Sequence, residues 1–205
     1  KTPIEADIQF AGQIVRVSAT NQSLYTNVAI KKAGYEEVMP GQQARYYFTG
    51  ISNRSTAALN SFYWRDILPV EAVRLSRIVT GTYNTAGSYK IVYRTNQSHG
   101  EYRTLADNLS THQNYTLDAS SVALRLASNE YVTEIMFVFG TVPAGFRQVE
   151  MPKVDCTVVS WIKGGAQFVN EADVGGMYDS RWIQANTRWV TRVYAPVKPL
   201  PRTGY

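Results

Sequence analysis

The 205-residue sequence contains one cysteine, Cys156, and two histidines, His99 and His112. An intrachain disulfide is therefore excluded, and a zinc cluster of Cys and His has too few ligands. Charged residues make up only 18% of the chain, and no stretch approaches the roughly 18 consecutive apolar residues of a membrane helix. The first residues lack the charged and apolar regions of a secretory leader. There is no dense Asp-x-Asp-x-Asp-Gly run for calcium, no nucleophile elbow and no Ser/His/Asp spacing, so a hydrolase has no motif behind it and no cofactor is expected. The 21 Lys and Arg exceed the 16 Asp and Glu, for a net charge of +5, but they are scattered singly. A backbone-tracking basic run is missing, which argues against nucleic acid as a partner.

The residues that are abundant favour strands. Hydrophobic residues reach 44%, and 14 Tyr, 7 Phe and 4 Trp accompany many Val, Ile and Thr, the types that suit a pleated, half-buried surface. Period-two alternation predicts strands at 28–32, 44–51, 60–68, 70–82, 89–95, 130–140, 153–162, 166–174 and 189–194. One or two more are expected within 4–19, with Gly12 as a hairpin or bulge, and Gly164-Gly165 reads as a hairpin turn. Residues 96–120 are polar and read as a long excursion carrying a short strand at 102–105. Many short strands predict an all-β sandwich.

Two prolines, Pro196 and Pro199, suit an extended tether over 195–205, and behind them stands Leu200-Pro201-Arg202-Thr203-Gly204. This segment resembles the Leu-Pro-x-Thr-Gly sorting signal of Gram-positive surface proteins. The resemblance implies thiol attack by a sortase on the Thr203-Gly204 peptide, attachment to peptidoglycan and an extracellular, cell-wall-anchored location. It also implies a hydrophobic span and basic tail in the precursor, which an excised ectodomain ending at Tyr205 would omit.

Strand parity directs three polar residues inward. Val28, Ile30 and Lys32 share one strand face, Phe62, Trp64 and Asp66 another, and Phe168, Asn170, Ala172 and Val174 a third, so all three polar side chains are expected to point into the core. Burying Lys and Asp is unfavourable unless they are paired or neutralised. Among apolar neighbours an amine loses its proton more readily and a carboxyl holds its own, so neutral Lys32 is suited to attack the Asn170 amide while Asp66 polarises it and relays protons. Two readings stay open: an isopeptide crosslink with loss of ammonia, or a buried Lys-Asp ion pair with Asn170 capping the ladder. Lys31 is the alternative nucleophile if the register slips by one.

The segments Val28-Ala29-Ile30-Lys31-Lys32, Met39-Pro40-Gly41, Arg45-Tyr46-Tyr47-Phe48, Trp64-Arg65-Asp66-Ile67-Leu68-Pro69 and Phe168-Val169-Asn170-Glu171-Ala172 together resemble the conserved repeat domain of bacterial surface stalks and adhesins. That resemblance implies an immunoglobulin-like β-sandwich over 25–194 with a long insertion near 80–128, and related domains use a Lys, Asp or Glu, and Asn set for an internal crosslink. Residues 1–24 are N-terminal strands, either of the same sandwich or ending a preceding domain. The expected function is a structural or adhesive module, with a glycan or host matrix protein as a further partner. A pilus subunit is a related alternative, since Tyr194-Ala195-Pro196-Val197-Lys198 loosely resembles a pilin motif. Glu130, Glu134, Glu171 and Asp173 read as solvated carboxylates rather than an acid–base pair. Trp161, Trp182 and Trp189 read as packing residues or as a sugar-stacking platform.

Overall fold

The alternation of large apolar and polar residues along this chain produces strands throughout, and strands are the only regular elements among the described residues. The computed structural model describes the backbone of residues 3–10 and 13–20, and residues 23–201 with their side chains. β1 (Pro3–Phe10) and β2 (Gln13–Thr20) pair antiparallel as a two-stranded sheet, and Gly12, expected at their turn, lies outside the described residues. Then follow β3 (Val28–Gly34), β4 (Glu37–Val38), β5 (Gln43–Asn53), β6 (Leu59–Ile67), β7 (Val73–Val79) and β8 (Ser88–Thr95). The chain continues through β9 (Arg103–Ser110), β10 (Thr116–Asp118), β11 (Val132–Val142), β12 (Lys153–Val158), β13 (Gln167–Tyr178) and β14 (Arg181–Val193).

These strands make a five-stranded sheet in the order β10-β7-β12-β5-β3 and a seven-stranded sheet in the order β4-β14-β13-β6-β11-β8-β9. Every pairing is antiparallel except the short parallel contact of β14 with β4. The core lies where inward faces meet. Tyr46 and Phe48 of β5 alternate inward from one sheet, and Phe62, Trp64, Ile135 and Phe137 from the other. Trp64 is the hinge of this packing, stacked on Phe137 at 4.1 Å between centroids and lying 4.7 Å from Phe48 of the other sheet. Its indole N–H donates to the Tyr83 hydroxyl at 3.0 Å, so the polar edge of the ring is also satisfied. Burial stabilises each such side chain by about 1.5–3 kcal/mol.

Three local expectations differ from the structure. Gly164-Gly165 is not a hairpin turn, because β12 belongs to the five-stranded sheet and β13 to the seven-stranded one; the glycines carry the crossover between sheets. Gly165 adopts φ +84°, and a Cβ on Gly164 would lie 3.1 Å from the Tyr194 carbonyl, so this corner needs small residues. The stretch 96–120, expected as a long excursion with a short strand at 102–105, contributes β9 at the edge of the seven-stranded sheet and β10 at the edge of the five-stranded one. The last strand begins at Arg181, well before 189, and turns back from β13 through Asp179 and Ser180, both with positive φ. A two-residue turn with φ above zero at both positions usually announces itself as Asn-Gly, and Asp-Ser does not.

Candidate functional site

Lys32, Asp66 and Asn170 reach the core from three strands. On β3 the buried positions are Val28, Ile30 and Lys32, while Lys31 is exposed, so Lys31 is on the wrong face to serve as the inward amine. On β6 Asp66 follows Phe62 and Trp64 inward, and on β13 Asn170 lies between buried Phe168 and Ala172. Asp66 stands directly opposite Ala172 in the β6–β13 ladder, which puts Asn170 diagonally beside it on the same face. Lys32 comes from the facing sheet. Its Nζ lies 2.6 Å from Asp66 Oδ1, and both side chains are completely shielded, at 0% exposure.

The surroundings are aromatic. Lys32 Nζ sits 4.5 Å from the ring centroid of Tyr46 and 4.5 Å from that of Phe48. Burial pushes the Lys32 pKa down by more than the adjacent carboxylate pulls it up. Burial likewise pushes Asp66 up by more than the amine lowers it. Both shifts favour the uncharged partners, an amine with a free lone pair beside a protonated carboxyl. The Asn170 amide lies close enough to Asp66 and Tyr46 to ease the ionisation of each. Yet neither Asn170 Oδ1 nor Nδ2 has a hydrogen-bond partner, and Asp66 Oδ2 and the Tyr46 hydroxyl are buried without one as well.

An amine that burial disposes to lose its proton, a carboxyl able to give and take one, and an unpartnered primary amide are the components of transamidation. Sequence reasoning did not single out Tyr46, although its place on the inward face of β5 beside Phe48 was readable from alternation. Cys156 of β12 is also fully buried near the set, and burial pushes its thiol pKa well up, which keeps it protonated and unreactive.

The remaining candidates lie elsewhere. Leu200 is 89% exposed and Pro201 is exposed, both beyond the last strand, whereas Arg202, Thr203 and Gly204 lie outside the described residues. Glu134 and Asp173 are not freely solvated carboxylates. Arg65 Nε and Nη2 donate to Asp173 at 3.0 and 2.6 Å, and Glu134 accepts from Arg65, Arg94 and Tyr102 at 3.3, 2.9 and 3.1 Å, so four strands, β6, β8, β11 and β13, are tied on the outer face of the large sheet. Glu130 accepts from Thr95 Oγ1 at 2.7 Å, and Glu171 is exposed. No group of three or more His, Cys, Asp and Glu among the described residues is placed to hold a metal. Trp161 and Trp182 are largely exposed; Trp189 is partly buried, its indole N–H donating to the Tyr35 carbonyl at 2.9 Å.

No family model matches the chain, and no curated protein matches it either. Among solved structures it is similar to the cohesin module of a family 33 glycoside hydrolase from Clostridium perfringens, at 11% identity over 84% of this chain and 98% of that one, with a TM-score of 0.41. It is also similar to the collagen-binding subdomain of the Enterococcus faecalis surface protein ACE, at 10% identity over 85% and 100% of the two chains, with a TM-score of 0.33. A third likeness is to the collagen-binding domain of a Staphylococcus aureus adhesin, at 10% identity over 82% and 99%, with a TM-score of 0.28. Likenesses this loose superimpose strands and carry no functional weight.

Proposed function

We propose that this chain is a non-enzymatic structural and adhesive module of a Gram-positive surface protein, held in the extracellular cell wall through its Leu200-to-Gly204 sorting signal and stiffened by an isopeptide bond between Lys32 and Asn170. The observation that carries the reading is the dry meeting of Lys32, Asp66 and Asn170, with the Asn170 amide left without partners. Lys32 Nζ attacks Asn170 Cγ, Asp66 relays the proton from the attacking nitrogen to the departing one, and ammonia leaves. One C–N bond forms and one breaks, with no change of oxidation state.

Energetics separates this from the ion-pair reading. A plain Lys-Asp pair would leave both polar atoms of Asn170 buried and unsatisfied, at about 1–3 kcal/mol for each group. Transamidation removes the free NH2 and consumes the amine, so the unfavourable set becomes one amide beside one carboxyl. Closing the chain between residues 32 and 170 also constrains the unfolded state, by about 4–5 kcal/mol on the disulfide analogy. Such a bond fills the role that a chain with a single cysteine leaves open.

The adhesive half of the reading is supported by exposed aromatic surface. Trp182 projects from β14 beside Tyr63, ring centroids 6.1 Å apart, and is 54% exposed. A glycan or a host matrix protein is the partner such a surface suits, and binding to an array of both classes tests it.

Attachment and crosslinking are tested together by intact-mass measurement before and after incubation with sortase and triglycine. The folded chain is expected to weigh one ammonia less than its sequence, and sortase is expected to exchange Gly204-Tyr205 for triglycine. A full sequence mass contradicts the crosslink, and an unchanged mass after sortase contradicts the anchor.

A further inference from the structure

Tyr46 poses a problem that packing does not answer. Its ring and that of Phe48 lie at the same 4.5 Å from Lys32 Nζ, so a bare phenyl ring already provides the aromatic wall. The Tyr46 hydroxyl is nonetheless buried with no partner, which is unfavourable for a hydroxyl. Four of the buried, partnerless side-chain polar atoms of the described residues belong to one cluster: Tyr46 Oη, Asp66 Oδ2, and Asn170 Oδ1 and Nδ2. The neighbouring Thr191 hydroxyl has already committed its proton to the Tyr35 carbonyl at 2.8 Å.

We propose that Tyr46 is the second hydrogen-bond donor to the Asn170 carbonyl oxygen, completing with Asp66 a two-donor oxyanion site; the inference rests on the crosslink reading above. When Lys32 Nζ bonds to Asn170 Cγ, the carbonyl electron pair moves onto Oδ1, and negative charge develops where no solvent reaches. Two donors that turn to that atom stabilise the charge where water is excluded. A protonated carboxyl and a phenol in an apolar site can share this task. The intermediate then collapses, Nδ2 leaves as ammonia with the proton relayed through Asp66, and Oδ1 of the new amide is left to accept from both donors. Burial pushes the Tyr46 phenol pKa up, so the hydroxyl keeps the proton that it must donate.

The test is a time course of ammonia loss during cell-free synthesis, with samples quenched in acid and weighed intact. Tyr46→Phe is expected to fold, judged by its circular dichroism and cooperative thermal transition, and to lose ammonia on the order of 10²-fold more slowly than the parent chain. Ammonia loss by folded Tyr46→Phe at the parental rate overturns the inference. A parent chain that never loses ammonia overturns the crosslink reading instead, and this inference with it. As a second variant, 3-fluorotyrosine placed at position 46 by a reassigned codon keeps the ring and strengthens the O–H donor. A rate at or above the parental one is expected, and a rate as low as that of the Phe variant overturns the assignment.

Discussion

Between Lys32 and Asp66 a single proton decides the chemistry. Both pKa shifts, caused first by burial, favour that proton on the carboxyl over the amine. Asp155 behaves differently. Burial alone would raise its pKa, but hydrogen bonds from Arg45 at 2.6 and 2.9 Å and from Arg77 at 2.9 Å outweigh burial and lower it. A depressed carboxyl contributes stability that is present above the unfolded value of about 4 and lost as pH falls through the folded value. Asp155→Asn is therefore expected to destabilise the chain by about 1–3 kcal/mol at pH 7, toward the lower end because both guanidiniums reach solvent. Urea unfolding should show this gap narrowing below about pH 4. An equal gap at pH 7 and pH 3 would mean that the carboxylate charge is not its source.

Among the elements, legibility followed periodicity. The inward faces of β3, β6 and β13 were readable because each places its polar residue two positions from large apolar ones. The first half of β14 was not, since Gln184, Asn186 and Arg188 alternate with only Ile183, Ala185 and Thr187, and the Asp179-Ser180 turn carries no glycine. The outer-face ion network was hidden for another reason: Arg65, Glu134 and Asp173 meet only when the registers of β6, β11 and β13 are known together. The same sheet face carries Tyr63, whose ring lies over Gly175, where a Cβ would come within 2.8 Å of it. Tyr63 accepts a hydrogen bond from Gln184 Nε2 at 2.8 Å, so the aromatic surface beside Trp182 is held in place. If this surface binds the partner, Trp182→Ala should weaken binding to the glycan or matrix protein picked out on an array by tenfold or more. Because Trp182 is mostly exposed, unfolding stability should change by no more than about 0.5 kcal/mol. Unchanged affinity would remove Trp182 from the binding surface.

For the whole molecule, the position of the proposed bond matters as much as its chemistry. Lys32 belongs to the five-stranded sheet and Asn170 to the seven-stranded one, so a bond between them joins the two layers through the core. The described tail leaves β14, which is hydrogen-bonded along its length to β13, the strand that carries Asn170. Tension entering from the tail would pass through β14 into β13 and meet a covalent stop. Parity put the three residues on inward faces but left their distances open, because it says which way a side chain points and not which strand it will face. That β3 comes to face β6 and β13 from the other sheet is a property of topology, set by strands as far apart in the chain as residues 28 and 178. The central claim is tested most directly by proteolytic digestion of the folded chain followed by tandem mass spectrometry. A branched peptide in which Lys32 Nζ is joined to Asn170 Cγ, with one ammonia missing, is the predicted result. Two linear peptides carrying an unmodified Lys32 and an unmodified Asn170 would contradict it.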